Sequence, residues 1–170
     1  MRLIVADTGP LLHLHQAGAL ELLRHFTEVV IARTVMAELR RHAPEIWAGG
    51  VPPWIRLHAP SAAAASRAAK WVDGKLLDPG EAEALAMAAE LLPDLFLTDD
   101  TAARVMAESL GLVARGSRGV VLYCAATGKV GETEARAHLA ALTARSTLWL
   151  SATVKQRALS ALAEIFTAGY

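Results

Sequence analysis

The stretch Arg2-Leu3-Ile4-Val5-Ala6-Asp7-Thr8-Gly9-Pro10 decides how the chain is read. Four apolar residues in a row, β-branched in the middle and ended by Asp-Thr-Gly-Pro, predict a short strand buried on both faces that stops at a carboxylate. Asp7 then sits at a strand's C-terminal end. Ligand crevices of open parallel sheets form along that edge, so an acid delivered there is placed for chemistry. The same residues suit a helix cap, with Asp7 ahead of a helix that begins near Pro10. Taken alone the two readings are balanced, and the remaining acids decide between them.

Working outward, the strand pattern recurs. Val29-Val30-Ile31 is a second β-type run, Trp54-Ile55-Arg56-Leu57-His58 alternates as a half-exposed strand does, and Leu95-Phe96-Leu97-Thr98 runs into Asp99-Asp100 as the first strand runs into Asp7. Leu112-Val113-Ala114 is a brief further strand. Between these runs the spacing predicts two short helical pieces over 10–18 and 19–26, then helices over 34–41, 61–71, 81–92 and 101–110. Helices over 120–127, 132–144 and 152–166 follow. Pro44, Gly49, Gly50, Pro52 and Pro53 make 42–60 the least regular part. Strands alternating with helices imply an α/β three-layer sandwich around a mainly parallel sheet, whose right-handed crossovers bring successive strand ends to one edge.

Length and composition narrow the function. At 170 residues the chain is expected to form one domain spanning 1–170, with the helices from about 120 packed on it. Lys plus Arg number 17 and Asp plus Glu number 17, so no global positive field attracts nucleic acid. Any such contact must be built from a few clustered cations. A single cysteine, Cys124, excludes an internal disulfide and a cysteine-based zinc cluster from this chain alone, and fits a reducing cytoplasm. The first apolar run is cut by Asp7, and no run approaches a membrane span, so a soluble protein without a signal peptide is expected. His13, His15 and His25 form no His-Glu-x-x-His pattern and read as packing residues on amphipathic helices.

On this scaffold Asp7 and Asp99-Asp100 leave strand ends on one edge, and Glu81 opens the helix before one of those strands. Glu81 shares the face of Leu85, Ala88 and Leu92. Glu83, about 200° away on the helix, aligns with Met87 and Glu90 toward the exposed side. Glu38 borders the stripe of Val35 and Leu39, either as a surface residue or reaching inward. Carboxylates gathered in one crevice repel unless a cation holds them. Oxygen-only donors select Mg²⁺ or Mn²⁺, and such an ion activates water and stabilises charge at a phosphate, as phosphodiester hydrolysis requires.

The order of these motifs resembles PIN-domain ribonucleases of the VapC-like toxin type. The residues that carry the resemblance are Asp7-Thr8-Gly9, Glu38 in TVMAELRR, Glu81 in LDPGEAEALAMAAEL and Asp100 in LTDD, over about Leu3 to Val120. The resemblance implies a PIN-like, Rossmann-like α/β fold and an endoribonuclease for single-stranded RNA. It also implies an Mg²⁺ or Mn²⁺ site at Asp7, Glu38, Glu81 and Asp100 with Asp99 beside them, and Thr8 orienting Asp7. Apart from the resemblance, Arg104 and the Gly-Ser-Arg-Gly loop with Arg115 and Arg118 are candidate phosphate contacts, weighed against a solvated charged turn. The third acid is Glu here, in a Gly-Glu-x-Glu box, where the toxins usually carry Asp, and the doubled Asp99-Asp100 leaves the ligand at that position open. An antitoxin partner and a homodimer follow from the toxin likeness, the latter also from the apolar content of the C-terminal helices. A catalytically silent PIN-like interaction module is the alternative. An Asp-nucleophile phosphatase is weaker, because no second acid stands two residues after Asp7.

Overall fold

A computed structural model describes residues 3–167. Five strands, β1 (Leu3–Ala6), β2 (Glu28–Ala32), β3 (Ile55–His58), β4 (Leu95–Leu97) and β5 (Ala114–Arg115), form one sheet in the order β3-β2-β1-β4-β5. Every neighbouring pair is parallel, with Ile4 opposite both Val29 and Leu95. Helices α1 (Thr8–Gln16), α2 (Arg33–His42), α3 (Ala62–Asp73), α4 (Pro79–Leu91), α5 (Thr101–Ser109), α6 (Ser117–Ala126), α7 (Glu132–Ala144) and α8 (Ala152–Thr167) flank it. Successive residues of a strand point to opposite faces, yet Ile4, Val5 and Ala6 are all fully buried. Helices therefore cover both sides of β1, and its uninterrupted apolar run is what that placement requires.

The strand order reverses at β1: β2 and β3 lie to one side of it, β4 and β5 to the other. Such a switch point opens a crevice beyond the strand ends. Asp7 follows β1 and Asp99 follows β4, so the two acids stand just past the ends of the neighbouring strands at this switch point. The buried apolar cluster that fills the sheet's interior also takes in Val121, Leu142 and Leu162 from α6, α7 and α8.

Several expected elements shift. Residues 20–25 form a 3-10 turn, and α1 begins at Thr8 because the Asp7 side chain caps it. Helix α6 begins at Ser117, so the expected Gly-Ser-Arg-Gly loop is largely its first turn. The fifth strand lies at Ala114–Arg115 and is only two residues long. The amphipathic phase assigned to α4 is overturned. Met87 is fully buried and Leu92 is 72% exposed in a left-handed conformation just beyond the helix end. Helix α4 packs on β1, β2, α2, α3 and α5, so nearly its whole circumference is covered and no apolar stripe marks one face.

Candidate active site

Thr8, Gly9, Glu38, Asp78 and Glu81 line a cavity of about 620 Å³ at this edge, with Arg41 at its rim. A smaller hollow of about 330 Å³ shares Asp78, Pro79 and Glu81 with it and reaches Asp100. Glu81 therefore borders both spaces. Glu83 lines neither, which agrees with the separation expected of the two glutamates although the stripe used to infer it is absent.

Asp7 is 1% exposed, and its Oδ1 accepts a hydrogen bond from Gly9 N at 3.0 Å. Burial pushes its carboxyl well above the usual carboxylate range. Thr98 and Gly9 hydrogen bonds pull the other way, and the charges of Asp99 and Glu81 add to the rise. Glu81 is raised first by its own burial and then by Asp100, Asp78 and Glu38, against a hydrogen bond that its Oε2 accepts from Asp78 N at 3.0 Å. The acids therefore act on one another across the crevice.

Glu38 reaches inward from α2. Its Oε1 accepts from Gly80 N at 3.0 Å and its Oε2 from the Thr8 hydroxyl. Gly80 is required for this contact, because a Cβ there would lie 2.7 Å from the Glu38 carboxyl carbon. The hydroxyl of Thr8 thus orients Glu38 and not Asp7 as expected. Thr8 lies in the first turn of α1, which packs on α2, while the Asp7 carboxylate turns back onto Gly9 N.

The doubled acids differ in role. Asp100 caps α5, its Oδ1 accepting from Ala103 N at 2.7 Å, while its own N–H donates to Thr98 Oγ1 at 3.1 Å. Asp99 is held from three directions: His13 Nδ1 at 2.8 Å, Ser117 N at 2.9 Å and the Ser117 hydroxyl. Burial alone would raise its pKa, but the His13 and Ser117 hydrogen bonds together keep it below the ordinary carboxylate value. An ionised carboxylate only accepts, so the bond needs the proton on Nδ1 of His13. His13 and Ser117 are the site residues that sequence reasoning missed. The partner of His13 stands 86 residues away, so no local pattern could mark it.

Arg104, Arg115 and Arg118 are brought together around a separate hollow between α5, α6 and α8, where Arg157 joins them.

All five expected acids come to the same edge, yet among the described residues no three acidic, histidine or cysteine side chains form a closed metal-binding group. Each carboxylate instead bonds a donor of its own chain. The donor chemistry still fits a hard divalent ion. The set is all oxygen, its members repel one another, and no cation of the chain pairs with Asp7, Glu38, Glu81 or Asp100 among the described residues.

The all-parallel five-stranded sheet flanked by helices, with acids gathered at its C-terminal edge, is consistent with a PIN-like fold. A family model described as PIN domain matches residues 3–164, and the chain belongs to that family. PIN domains are generally metal-dependent nucleases, hydrolases that bind nucleic acid. No curated relative matches the chain. No helix among the described residues is long and apolar enough to cross a membrane.

Proposed function

We propose that the protein is a divalent-metal-dependent endoribonuclease that hydrolyses phosphodiester bonds of single-stranded RNA. The observation that carries this reading is the convergence of Asp7, Glu38, Glu81, Asp99 and Asp100 on one sheet edge, with Asp7 and Glu81 destabilised as anions first by burial and then by their acidic neighbours. Asp7, Glu38, Glu81 and Asp100 would hold Mg²⁺ or Mn²⁺, which when bound supplies charge stabilisation at the phosphate and an activated water. Thr8 positions Glu38, and His13 with Ser117 fixes Asp99 beyond the end of β4. Trp149, 83% exposed and two residues beyond Thr147 of the larger cavity's lining, offers a base a face on which to stack.

Purified protein is expected to cut a panel of single-stranded RNAs with Mg²⁺ or Mn²⁺ and to stop in excess chelator. Equal cutting in chelator would remove the metal-dependent reading. One observation favours a second reading, a catalytically silent interaction module: every carboxylate is already hydrogen-bonded within the chain. Ion binding without cleavage of any RNA would select it.

The VapC-like resemblance extends the proposal to a cytoplasmic toxin restrained by an antitoxin, testable with the product of the neighbouring gene. A homodimer is proposed from exposed Leu92, Val105, Leu110 and Val113 around α5. A monomer mass by light scattering at micromolar concentration would count against it.

A further inference from the structure

The hollow between α5, α6 and α8 encloses about 210 Å³, and Arg104, Arg115, Arg118 and Arg157 line it with no acid in its wall. None of the four forms an ion pair among the described residues. Three are fixed by the main chain. Arg104 Nη2 donates to Thr98 O at 3.0 Å, Arg115 Nη1 to Ala114 O at 2.7 Å and Arg118 Nη1 to Val154 O at 3.2 Å. A guanidinium carries five N–H donors in a rigid fork, so most of each fork stays free while its direction is set. Arg118 Nε is buried and has no partner. Burial disfavours the Arg118 charge and Arg104 repels it; only Asp99 opposes them, and Asp99 is already engaged by His13 and Ser117.

Oriented, unneutralised guanidinium forks around one small space call for an anion with several oxygens. Position decides which anion. Gly116 separates this hollow from the acidic crevice: a Cβ there would overlap Asp99 Oδ1 on one side and lie 3.2 Å from Arg104 Nη2 on the other. The cavity bordered by Thr8 and Glu38 lies toward β2, and the arginine hollow lies toward β5. A strand running along the order β2-β1-β4-β5 would meet both.

We propose that Arg104, Arg115, Arg118 and Arg157 form a phosphate pocket that grips the nucleic acid strand beside the acidic crevice, with α8 supplying its fourth cation. The inference rests on the nuclease reading above and adds to it a fixed exit for the strand and a role for the C-terminal helix. Arg157 is exposed, so its replacement spares the fold and reports on the pocket.

The test is made in excess chelator, where no strand is cut. Binding of a short fluorescein-labelled single-stranded RNA is followed by anisotropy over a salt series, and binding of sodium pyrophosphate by calorimetry, for wild type, Arg157→Gln and Arg67→Gln. Arg67 on α3 is an exposed cation and serves as the charge-matched control. Arg157→Gln is expected to weaken both ligands about tenfold. It should also lower the slope of log affinity against log salt by about 0.7, one phosphate contact on a single strand. Arg67→Gln should match wild type. Equal affinity and slope in the two variants would overturn the pocket. Loss of pyrophosphate binding alone, with RNA unaffected, would overturn its assignment to the strand. A protein that cleaves RNA with Mg²⁺ but binds it independently of Arg157 loses only the pocket. One that binds through Arg157 and never cleaves loses only the nuclease reading.

Discussion

Gly116→Ala is expected to destabilise the protein chiefly through Asp99. Gly116 is the N-cap residue of α6 with φ of −104° and ψ of −175°, an extended conformation open to any residue, so alanine brings no backbone strain. Its methyl group would overlap Asp99 Oδ1 and crowd Thr98 O at 3.3 Å. Asp99 has little room to yield, being 8% exposed and tied to His13 and Ser117. The displacement breaks at least the Ser117 N–H bond to a charged acceptor, a loss of about 1.5–3 kcal/mol. Gly131→Ala is the matched control: Gly131 is the N-cap of α7 at φ −78° and ψ 168°, and nothing lies within 4 Å of a Cβ built there. Both variants share the change in capping residue and in unfolded-chain entropy, each worth about 0.5–1 kcal/mol in opposite directions. At about 2–4 °C per kcal/mol for a chain of this size, Gly116→Ala should melt about 3–12 °C below Gly131→Ala by circular dichroism in chelator. Melting temperatures that coincide would refute the account of how Asp99 is held.

Glu81→Gln should abolish metal-dependent cleavage by about a hundredfold or more while Glu83→Gln stays near wild type, in single-turnover assays; the reverse pattern would unseat Glu81 as a ligand. Asp7→Asn should stabilise the metal-free protein. A carboxyl whose folded pKa is raised withdraws stability as pH climbs from its unfolded value through the folded one. The melting temperature of Asp7→Asn in chelator should therefore exceed wild type at pH 8, with the gap closing toward pH 4, and a gap independent of pH would contradict the burial argument. Cys124, fully buried with its thiol pushed up to about 11 by burial, should resist a disulfide reagent at pH 8 until denaturant is added. Rapid native labelling would contradict that burial. The same shift predicts stability falling as pH rises from about 9 toward 11, where the unfolded thiol ionises and the folded one does not.

The legible part of this fold was what short-range pattern controls. β1 and β4 announce themselves because strands buried on both faces need unbroken apolar runs, and each run ends at the acid that the sheet edge then presents. Helix α4 was found but its phase was misread, because a helix enclosed on most sides has no polar face to define one. His13 and Arg157 were missed for a different reason. A histidine on α1 and an arginine on α8 look like any others on amphipathic helices, and only the chain path brings them to Asp99 and to the arginine hollow. The start of α6 was misplaced because its N-cap residue, Gly116, has no side chain to signal a cap. The capping group is the carboxylate of Asp99, 18 residues upstream of Ser117.

That last case bears on the ambiguity posed by Asp7, cap or chemistry. Asp7 bonds Gly9 N at the start of α1, Glu38 and Glu81 bond Gly80 N and Asp78 N at the start of α4, Asp100 bonds Ala103 N in α5, and Asp99 bonds Ser117 N in α6. Each acid is thus fixed at a helix N-terminus, where unpaired N–H groups and the helix dipole favour negative charge. In a parallel sheet the crossover helices begin beyond the strands' C-terminal ends, so the edge that gathers N-termini also gathers the acids that cap them. Capping and a shared anionic crevice are two consequences of one topology and do not exclude each other. A divalent ion entering the crevice must compete with those N–H groups for carboxylate oxygens, which a carboxylate can satisfy together because it offers about four lone-pair sites. Hydrogen bonding to the backbone therefore does not by itself bar these acids from the proposed cation.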